Sequence, residues 1–289
     1  MRRETLQAWL LILPALLLLV AFTHWPAATT LIDSFYSTPK GSRAGRFVGT
    51  DNFVALLDDP VFWTAMRNNA IYALWTIPLS IILALTMALA VNTAIPGRAL
   101  VRMAYFTPTM LPMIAVANIW LFFFTPDYGL FDHIIGLFGG GRHNWLGDRE
   151  TALPAMIAVA VWKEAGFFMI FYLAALQAMP PALKECAALE GASRWNFFRR
   201  VTIPLLMPTT LFVLINAVIN AFRLVDHVVV MTRGGPDNAT TLLLYYIYEA
   251  GFRFWDTALA ASLTVVLLAV LGLLAWLQFG VLGKRVHYR

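Results

Sequence analysis

Residues 180–204 read PPALKECAALEGASRWNFFRRVTIP, and no other stretch says more about the architecture of this chain. Pro181 is typical of a helix N-terminus, the residues that follow favour a helix, and Gly191 is typical of a helix end. Ser193 is suited to cap a second short helix that runs to Pro204. The stretch therefore predicts two short helices joined by a tight turn.

The sequence on both sides of this stretch is strongly apolar. Of the 289 residues, 60% are hydrophobic and 13% are charged, whereas soluble domains have about 45–50% apolar and 25% charged residues. Six stretches are each long enough to cross a hydrocarbon layer of roughly 30 Å as a helix: residues 8–28, 71–91, 100–124, 154–176, 205–229 and 258–282. The sequence predicts an all-α membrane protein with six transmembrane helices, in which residues 1–289 form one domain and the 180–204 segment joins spans four and five.

The distribution of basic residues predicts the orientation. With both termini in the cytoplasm, eleven Lys and Arg and three acidic residues lie on the inner side, against eight and eleven on the outer side. Because Lys and Arg are retained inside, this arrangement is favoured, and the net charge of +5 indicates topology rather than nucleic-acid binding. Arg2 and Arg3 are also typical of a signal peptide, but no A-x-A cleavage site follows, which favours a retained first span.

On the inner membrane face, the first predicted helix has an unusually small side. Cys186, Ala187 and Glu190 share this side, so a groove of another protein could approach it closely. The alternative is an amphipathic connector held on lipid by its aromatic residues, Trp195, Phe197 and Phe198. A DNA-reading helix pair is excluded because the segment leads directly into the fifth span.

The spacing in this segment resembles the E-A-A-x3-G-x9-I-x-L-P signature of permease subunits in binding-protein-dependent ABC importers. Glu185-Cys186-Ala187 is followed after three residues by Gly191, and after nine more by Val201-Thr202-Ile203-Pro204. Three positions differ from the signature, each by a small or isosteric change: Cys186, Val201 and Ile203.

The resemblance extends along nearly the whole chain and is closest to the maltose-type and glycerol-phosphate-type branch, which imports carbohydrates. The matching stretches are Gly49-Thr50-Asp51-Asn52-Phe53, Trp162-Lys163, Ala174-Ala175-Leu176-Gln177 and Thr232-Arg233-Gly234-Gly235-Pro236. It implies a type I importer permease fold, in which the 180–204 segment supplies coupling helices that sit in a cleft of an ATPase subunit. The residues implied at this joint are Glu185, Ala187, Ala188, Gly191 and Pro204.

The same resemblance implies the partners. These are a second permease subunit, two copies of an ABC ATPase and an extracytoplasmic solute-binding protein, assembled in the bacterial inner membrane. The chain has no GxxxxGK[ST] phosphate loop, so ATP and Mg²⁺ are expected on the ATPase subunits and no cofactor on this chain. One cysteine excludes a zinc site built on several thiolates.

Two charged residues fall near the middle of the fourth span. Lys163 and Glu164 lie about 14 Å from its start, and a charge at that depth costs several kcal/mol if it faces lipid. Adjacent helical residues point about 100° apart, so each is expected to have a partner elsewhere. An ion pair with a neighbouring span or a second permease and a place along the transport path are both open.

The fifth span carries further polar residues. Arg223 and Asp226 are spaced i, i+3, which favours a local ion pair near the outer interface, while an arginine there could also hold an anionic group of a sugar derivative. Asn216 and Asn220 share one helical face and suit either a solute path or hydrogen bonds between helices. Trp162 belongs to an aromatic group on the fourth span that suits sugar stacking or helix packing.

The turn at Gly234, Gly235 and Pro236 cannot continue a helix, and the resemblance implies that it helps receive the binding protein. The expected solute is a carbohydrate, with an anionic one such as glycerol phosphate or an acidic or sulfonated sugar derivative as the alternative. An intramembrane protease is disfavoured because GxSxG, HExxH and GxGD are absent. A secondary carrier is disfavoured because no internal repeat is visible.

Overall fold

The computed structural model describes residues 2–93 and 96–282, with side chains for residues 7–93 and 96–280. Over these ranges the regular secondary structure is helical, with two isolated β-bridges, which confirms the predicted all-α class. The described residues pack as two compact units, those up to 63 with 246–270 and those between 64 and 245 with those from 271 onward.

The first unit holds the beginning of the chain and much of its last helix. α1 (Arg2–Leu19) and α2 (Trp25–Asp33) are joined by a π-helical turn (Val20–His24), and α3 (Asp51–Leu57) precedes α4 (Pro60–Asn92), which continues into the second unit. Near the other end of the chain, α13 (Leu243–Tyr248) leads through a π-helical turn (Glu249–Arg253) to α14 (Thr257–Leu277) and a final π-helical turn (Gln278–Leu282). Of this stretch, residues 246–270 belong to the first unit.

Polar contacts fix the start of α14 within this unit. The Leu259 amide donates to Asp256 Oδ1 at 3.0 Å, and the Ala258 amide donates to Thr38 Oγ1 at 3.0 Å. The Tyr246 hydroxyl donates to Asp59 Oδ2 at 2.5 Å. Burial, together with this bond to Asp59, raises the pKa of Tyr246. The bonds from the Leu259 and Ala258 amides satisfy groups at a helix start that otherwise have no intrahelical partner.

The second unit contains the middle of the chain. Its helices are α5 (Arg98–Met110), α6 (Met113–Phe123), α7 (Leu130–Leu137), α8 (Ala152–Gln177), α9 (Pro181–Leu189), α10 (Arg194–Phe197), α11 (Ile203–Arg223) and α12 (Asp226–Met231), with a π-helical turn (Phe198–Thr202) between α10 and α11.

Five of the predicted spans fall on helical segments that are long and apolar enough to cross a membrane. These segments are Gln7–Asp33, Pro60–Asn92, Ala152–Gln177, Arg194–Met231 and Thr257–Gly280. They differ from the predicted stretches mainly at their ends, because helices with polar first and last turns extend beyond their apolar centres.

The predicted third span is not straight. Its place is taken by α5 and α6, which meet at 103° across a two-residue break. Leu111 in the break is extended, with ψ of 137°, and Pro112 has no amide hydrogen to continue the helical ladder. The pair forms either one broken span or a re-entrant segment.

Small residues bring helices of the second unit into close contact. A Cβ atom on Gly166 of α8 would lie 2.2 Å from the carbonyl oxygen of Tyr105 on α5. Ala84 and Ala88 of α4 are fully buried in a core that also contains Phe168. Small side chains let helix backbones approach closely in a membrane, where van der Waals packing replaces the hydrophobic drive between helices.

Candidate functional site

The first half of the 180–204 segment forms as predicted. Helix α9 begins at Pro181 and ends at Leu189, and it is followed by a left-handed Gly191 with φ of +68°. The Ala192 amide donates to the Ala187 carbonyl at 2.9 Å and the Gly191 amide to the Ala188 carbonyl at 3.1 Å. This pair of bonds is the Schellman motif, which satisfies the last carbonyls of the helix and fixes the direction of the chain after it.

The second half differs from the prediction. Ser193 is the N-cap, and its Oγ accepts a hydrogen bond from the Asn196 amide at 3.2 Å. The helix that follows does not end at Pro204, as predicted. It passes through the π-helical turn at Phe198–Thr202 and continues as α11. A proline is tolerated in the first turn of a helical segment, because the amide hydrogen it lacks is not needed there.

The segment presents its surface outward. None of the residues of α9 is buried. Leu189 is 90% exposed and Trp195 is 66% exposed. Glu185 is also exposed. Exposed apolar side chains that are close together in one segment indicate a surface that is covered by a partner or by lipid.

Lys163 binds the break between α5 and α6. Its Nζ donates to the carbonyl oxygen of Leu111 at 3.0 Å and lies 3.5 Å from that of Thr109. In return, Thr109 Oγ1 donates to the Lys163 carbonyl at 3.3 Å. Carbonyls left without an amide partner at a helix break need another donor, and the lysine supplies it. The prediction that Lys163 has a partner on another element is confirmed.

Glu164 accepts a hydrogen bond from a different helix. Asn220 Nδ2 of α11 donates to Glu164 Oε2 at 2.6 Å. Two adjacent residues thus connect α8 to two other elements. Lys163 connects it to the break between α5 and α6, and Glu164 connects it to α11. Asn216 does not join this contact, because its Nδ2 donates to the Phe212 carbonyl of its own helix at 2.8 Å.

The predicted local ion pair between Arg223 and Asp226 is wrong. Helix α11 ends at Arg223, Leu224 is extended, and α12 begins at Asp226. The i, i+3 geometry of a continuous helix therefore does not apply. The Arg223 side chain is exposed, and within the described ranges it has no ion-pair partner.

The aromatic residues of the fourth span divide between packing and exposure. Phe168 and Tyr172 are each 1% exposed, and the Tyr172 hydroxyl donates to Thr210 Oγ1 at 3.2 Å, so both belong to the core. Trp162 is 39% exposed and packs edge-on against Trp120, with ring centroids 5.4 Å apart. Of the group, Trp162 retains a face that a solute could contact.

The turn at Gly234, Gly235 and Pro236 is tightly bonded. Gly234 has φ of +79°, and a Cβ there would lie 2.6 Å from Thr241 Oγ1. The Gly234 carbonyl accepts from Thr241 Oγ1 at 3.2 Å, and the Gly235 carbonyl accepts from Thr240 Oγ1 at 2.7 Å. The turn has a fixed shape that only glycine at position 234 permits.

Sequence reasoning missed a buried polar face on α4. Asn68 Nδ2 donates to the carbonyls of Asn238 and Thr241 at 2.8 and 3.1 Å. The Tyr72 hydroxyl and His227 Nε2 are 3.1 Å apart, and both residues are fully buried. The available signal was the four-residue spacing of Asn68, Tyr72, Thr76 and Ser80, which places four polar groups on one face of an apolar helix.

Three comparisons place this geometry among known proteins. The profile of the family described as "Binding-protein-dependent transport system inner membrane component" matches residues 76–288. The sn-glycerol-3-phosphate transport system permease protein UgpA of Agrobacterium fabrum is 32% identical, over 97% of this chain and 96% of its own. The lactose transport system permease protein LacF of Rhizobium radiobacter is 34% identical, over 96% and 94%.

A solved structure has the same fold. A chain of the bacterial alginate ABC transporter in complex with an alginate pentasaccharide-bound periplasmic protein superposes with a TM-score of 0.82, at 23% identity, over 96% of this chain and 93% of its own. This likeness confirms the predicted fold of an importer permease.

Proposed function

Since this chain belongs to the family of binding-protein-dependent transport system inner membrane components, we propose that it is the membrane-spanning permease subunit of an ATP-driven importer for a carbohydrate or sugar derivative. The two relatives are named as permeases for sn-glycerol 3-phosphate and for lactose. Both solutes are small and carry several hydroxyl or phosphate oxygens, so a solute of that chemistry is the best supported.

One observation carries the proposal. The exposed α9 is joined, through the Schellman turn at Gly191 and the capping Ser193, to a helical run over residues 194–223 that ends with α11. A displacement of α9 is therefore transmitted to a membrane-spanning helix without a flexible linker. A subunit that is driven by ATP hydrolysis in another protein needs such a connection.

We assign the joint with the ATPase to Glu185, Ala187, Ala188, Gly191 and Pro204. Glu185 provides an exposed charge and Gly191 provides the turn. The two alanines have short side chains, which let a partner approach the helix backbone closely. Members of this family are transport subunits rather than enzymes, and ATP and Mg²⁺ belong to two copies of a partner ATPase. A second permease and an extracytoplasmic binding protein complete the importer, and the Gly234, Gly235 and Pro236 turn is the contact proposed for the binding protein.

The solute path is proposed along α8, α11 and the start of α12. Its residues are Trp162, Lys163, Glu164, Asn216, Asn220, Arg223 and Asp226. We place the whole chain, residues 1–289, as one permease domain of the bacterial inner membrane, with both termini in the cytoplasm because basic residues are concentrated on that side.

An anionic solute is the second candidate, and Arg223 supports it. This side chain is exposed and has no ion-pair partner within the described ranges. A free guanidinium binds phosphate, sulfonate or carboxylate through charge-assisted hydrogen bonds. The glycerol phosphate carried by one relative belongs to this chemical class.

The test begins with native mass spectrometry of the tagged chain, co-expressed with the ATPase, permease and binding-protein genes that neighbour it. We expect a complex with one second permease and two ATPase copies. In nanodiscs, ATP hydrolysis should rise when the loaded binding protein is added. Recovery of this chain alone, with all neighbours expressed and soluble, would refute the proposal.

Glu185→Lys tests the joint in the same complex. We expect it to abolish stimulation of ATP hydrolysis while membrane insertion stays normal, because the charge at the proposed docking face is reversed. The matched control is Glu150→Lys, which makes the same change at an exposed position in the loop before α8. Normal stimulation in both variants would remove the 180–204 segment from the coupling mechanism.

A further inference from the structure

The buried polar face of α4 has two halves. Toward the start of the helix, Asn68 and Tyr72 have hydrogen-bond partners on other elements. One and two turns further on, the hydroxyls of Thr76 and Ser80 have none among the described protein atoms. Thr76 is 6% exposed and Ser80 1% exposed. A buried hydroxyl without a partner loses the free energy of its hydration.

Other helical hydroxyls of the chain avoid this loss by donating a hydrogen bond to the backbone of their own helix. Thr86 donates to the carbonyl four residues earlier at 2.8 Å, Thr210 does so at 2.9 Å and Ser262 at 2.8 Å. Thr76 and Ser80 do not make this bond. The Thr76 side chain interacts with the Tyr72 hydroxyl one turn earlier, but this contact falls outside the distance and angle limits of a formed hydrogen bond. A partner other than their own helix is needed.

Both side chains line a small cavity between three helices of the second unit. α8 contributes Glu164 and Phe168, and α11 contributes Asn220. The volume is about 10 Å³, which is at the threshold of roughly 10–15 Å³ that one water molecule requires. The cavity therefore matches the size of one water and is too small for a solute.

We propose that this cavity binds a single water molecule, held by Thr76 Oγ1, Ser80 Oγ and the carboxylate of Glu164. Water can accept from the two hydroxyls and donate to the carboxylate, and about three hydrogen bonds are usual for a buried water. Tyr72 and Asn220 also line the cavity, but their polar groups are bonded to His227 and Glu164, and the other walls are apolar side chains such as Phe168 and Ala217. Such walls suit a water better than a metal cation, which needs a larger shell of oxygen ligands.

The water connects α4, α8 and α11, of which only α8 and α11 are joined by the direct bond between Glu164 and Asn220. Asn220 already links α11 to Glu164 on α8, and the water adds α4 to this joint. A bridging water is nearly as favourable as a direct hydrogen bond and can exchange partners. The joint between the three spans is thus hydrated at the depth of Glu164.

Thermal denaturation of the purified full chain distinguishes a hydrated cavity from a dry one. In a hydrated cavity, Thr76→Val and Ser80→Ala each remove a hydrogen bond to the water, and the melting temperature should fall by roughly 2–4 °C in a chain of this size. In a dry cavity, both substitutions remove an unsatisfied hydroxyl, and the melting temperature should stay constant or rise. The matched control is Thr86→Val on the same helix, whose hydroxyl is exposed and bonded to its own backbone.

A direct observation completes the test. A density map of the protein, at a resolution that reveals ordered waters, should contain a peak within hydrogen-bond distance of Ser80 Oγ and Glu164. An empty cavity in that map would overturn the proposal, as would unchanged or raised melting temperatures in both variants. Stabilisation by NaCl but not by choline chloride, lost in Ser80→Ala, would also overturn it, because the occupant would then be a cation.

Discussion

The Lys163 ammonium group lies 3.0 Å from the carbonyl oxygen of Leu111, the extended residue between α5 and α6. The helix break leaves backbone carbonyls without amide partners, and the lysine at the middle of α8 binds them. The bend between α5 and α6 therefore explains why a charged residue is present at position 163, and the bonds from Lys163 help to stabilise that bend. A charged residue at this depth of a span has a structural partner as well as a place along the proposed path.

Lys163→Met should destabilise the protein. It leaves the carbonyls of Leu111 and Thr109 without the donor, at a loss of about 1–3 kcal/mol for an unsatisfied buried group. Thermal denaturation in one detergent measures the effect. Lys184→Met is the control, since Lys184 is exposed on α9, and Lys163→Arg should recover part of the stability. Equal melting temperatures for the Lys163→Met and Lys184→Met variants would contradict the assigned role.

Gly166→Ala should be more harmful than its small size suggests. The added Cβ would lie 2.2 Å from the Tyr105 carbonyl oxygen, so α5 and α8 must separate, and overpacking of this kind costs about 1–3 kcal/mol. Gly272→Ala is the control within α14, where a Cβ meets nothing within 4 Å. That control should be neutral or slightly stabilising, because alanine favours a helix. Similar unfolding midpoints for both variants would argue against close α5–α8 packing.

Gly191→Pro should uncouple ATP hydrolysis from solute while the protein still inserts. Proline cannot adopt the φ of +68° that ends α9, so the direction of the chain into α10 changes. Stimulated ATPase activity in nanodiscs is the measurement. Gly139→Pro provides the control, because it creates the same conflict at φ of +79° in another loop. Stimulation that survives in Gly191→Pro would show that the turn is not needed for coupling.

Arg223→Ala should weaken the import of anionic solutes and leave neutral sugars unaffected. The exposed guanidinium is free to bind an anionic group, and a single charge-assisted hydrogen bond contributes about 1.5–3 kcal/mol. Uptake into proteoliposomes, measured with both solute types, gives the comparison. Arg223→Lys should retain part of the effect because it keeps the charge. An equal loss for both solute types would rule out charge recognition by this residue.

Asp132 should titrate below the ordinary range of aspartate, which is about 3.9. The Asp127 amide, the Trp145 indole N–H and the His143 amide all donate to its carboxylate and lower its pKa against the opposing effect of desolvation. Because the pKa is lower in the folded state, the contribution to stability is present above the unfolded value and is lost as pH falls through the folded one.

The carboxyl ¹³C resonance of Asp132 measures this shift. Comparison with the Asp132→Asn spectrum assigns the resonance, and its midpoint should lie below that of an unstructured aspartate. The Asp58→Asn spectrum controls for general effects of removing an exposed carboxylate. A midpoint at or above the ordinary value would mean that these three donors do not hold the carboxylate in solution.

Local chemistry made much of the 180–204 segment predictable. Proline at the start of α9, glycine after its end and serine before α10 act through their own backbone preferences or through amides within a few residues. The end of the second helix was predicted wrongly, because proline is a helix breaker only where its missing amide hydrogen is needed. A π-helical turn before Pro204 brings it into the first turn of α11, and the helix continues.

The contacts of the membrane interior were not predictable in the same way. Composition indicated that Lys163 and Glu164 need partners, because the penalty for a bare charge in hydrocarbon does not depend on the fold. It could not identify Leu111 and Asn220, which lie 52 and 56 residues away along the chain. The supposed pair of Arg223 and Asp226 failed for the opposite reason, since helix periodicity was assumed across a break.

The sequence by itself determined the class of the protein, its helical spans and the turn at Gly191, because hydrophobicity, helix propensity and glycine φ values are properties of single residues and their near neighbours. Only the tertiary structure decided that Lys163 supports the bend at Leu111 and that Thr76 and Ser80 meet Glu164 around a water-sized cavity. Such contacts depend on which helices lie side by side and at what angle. That arrangement arises from packing over the whole unit, which no local stretch of sequence encodes.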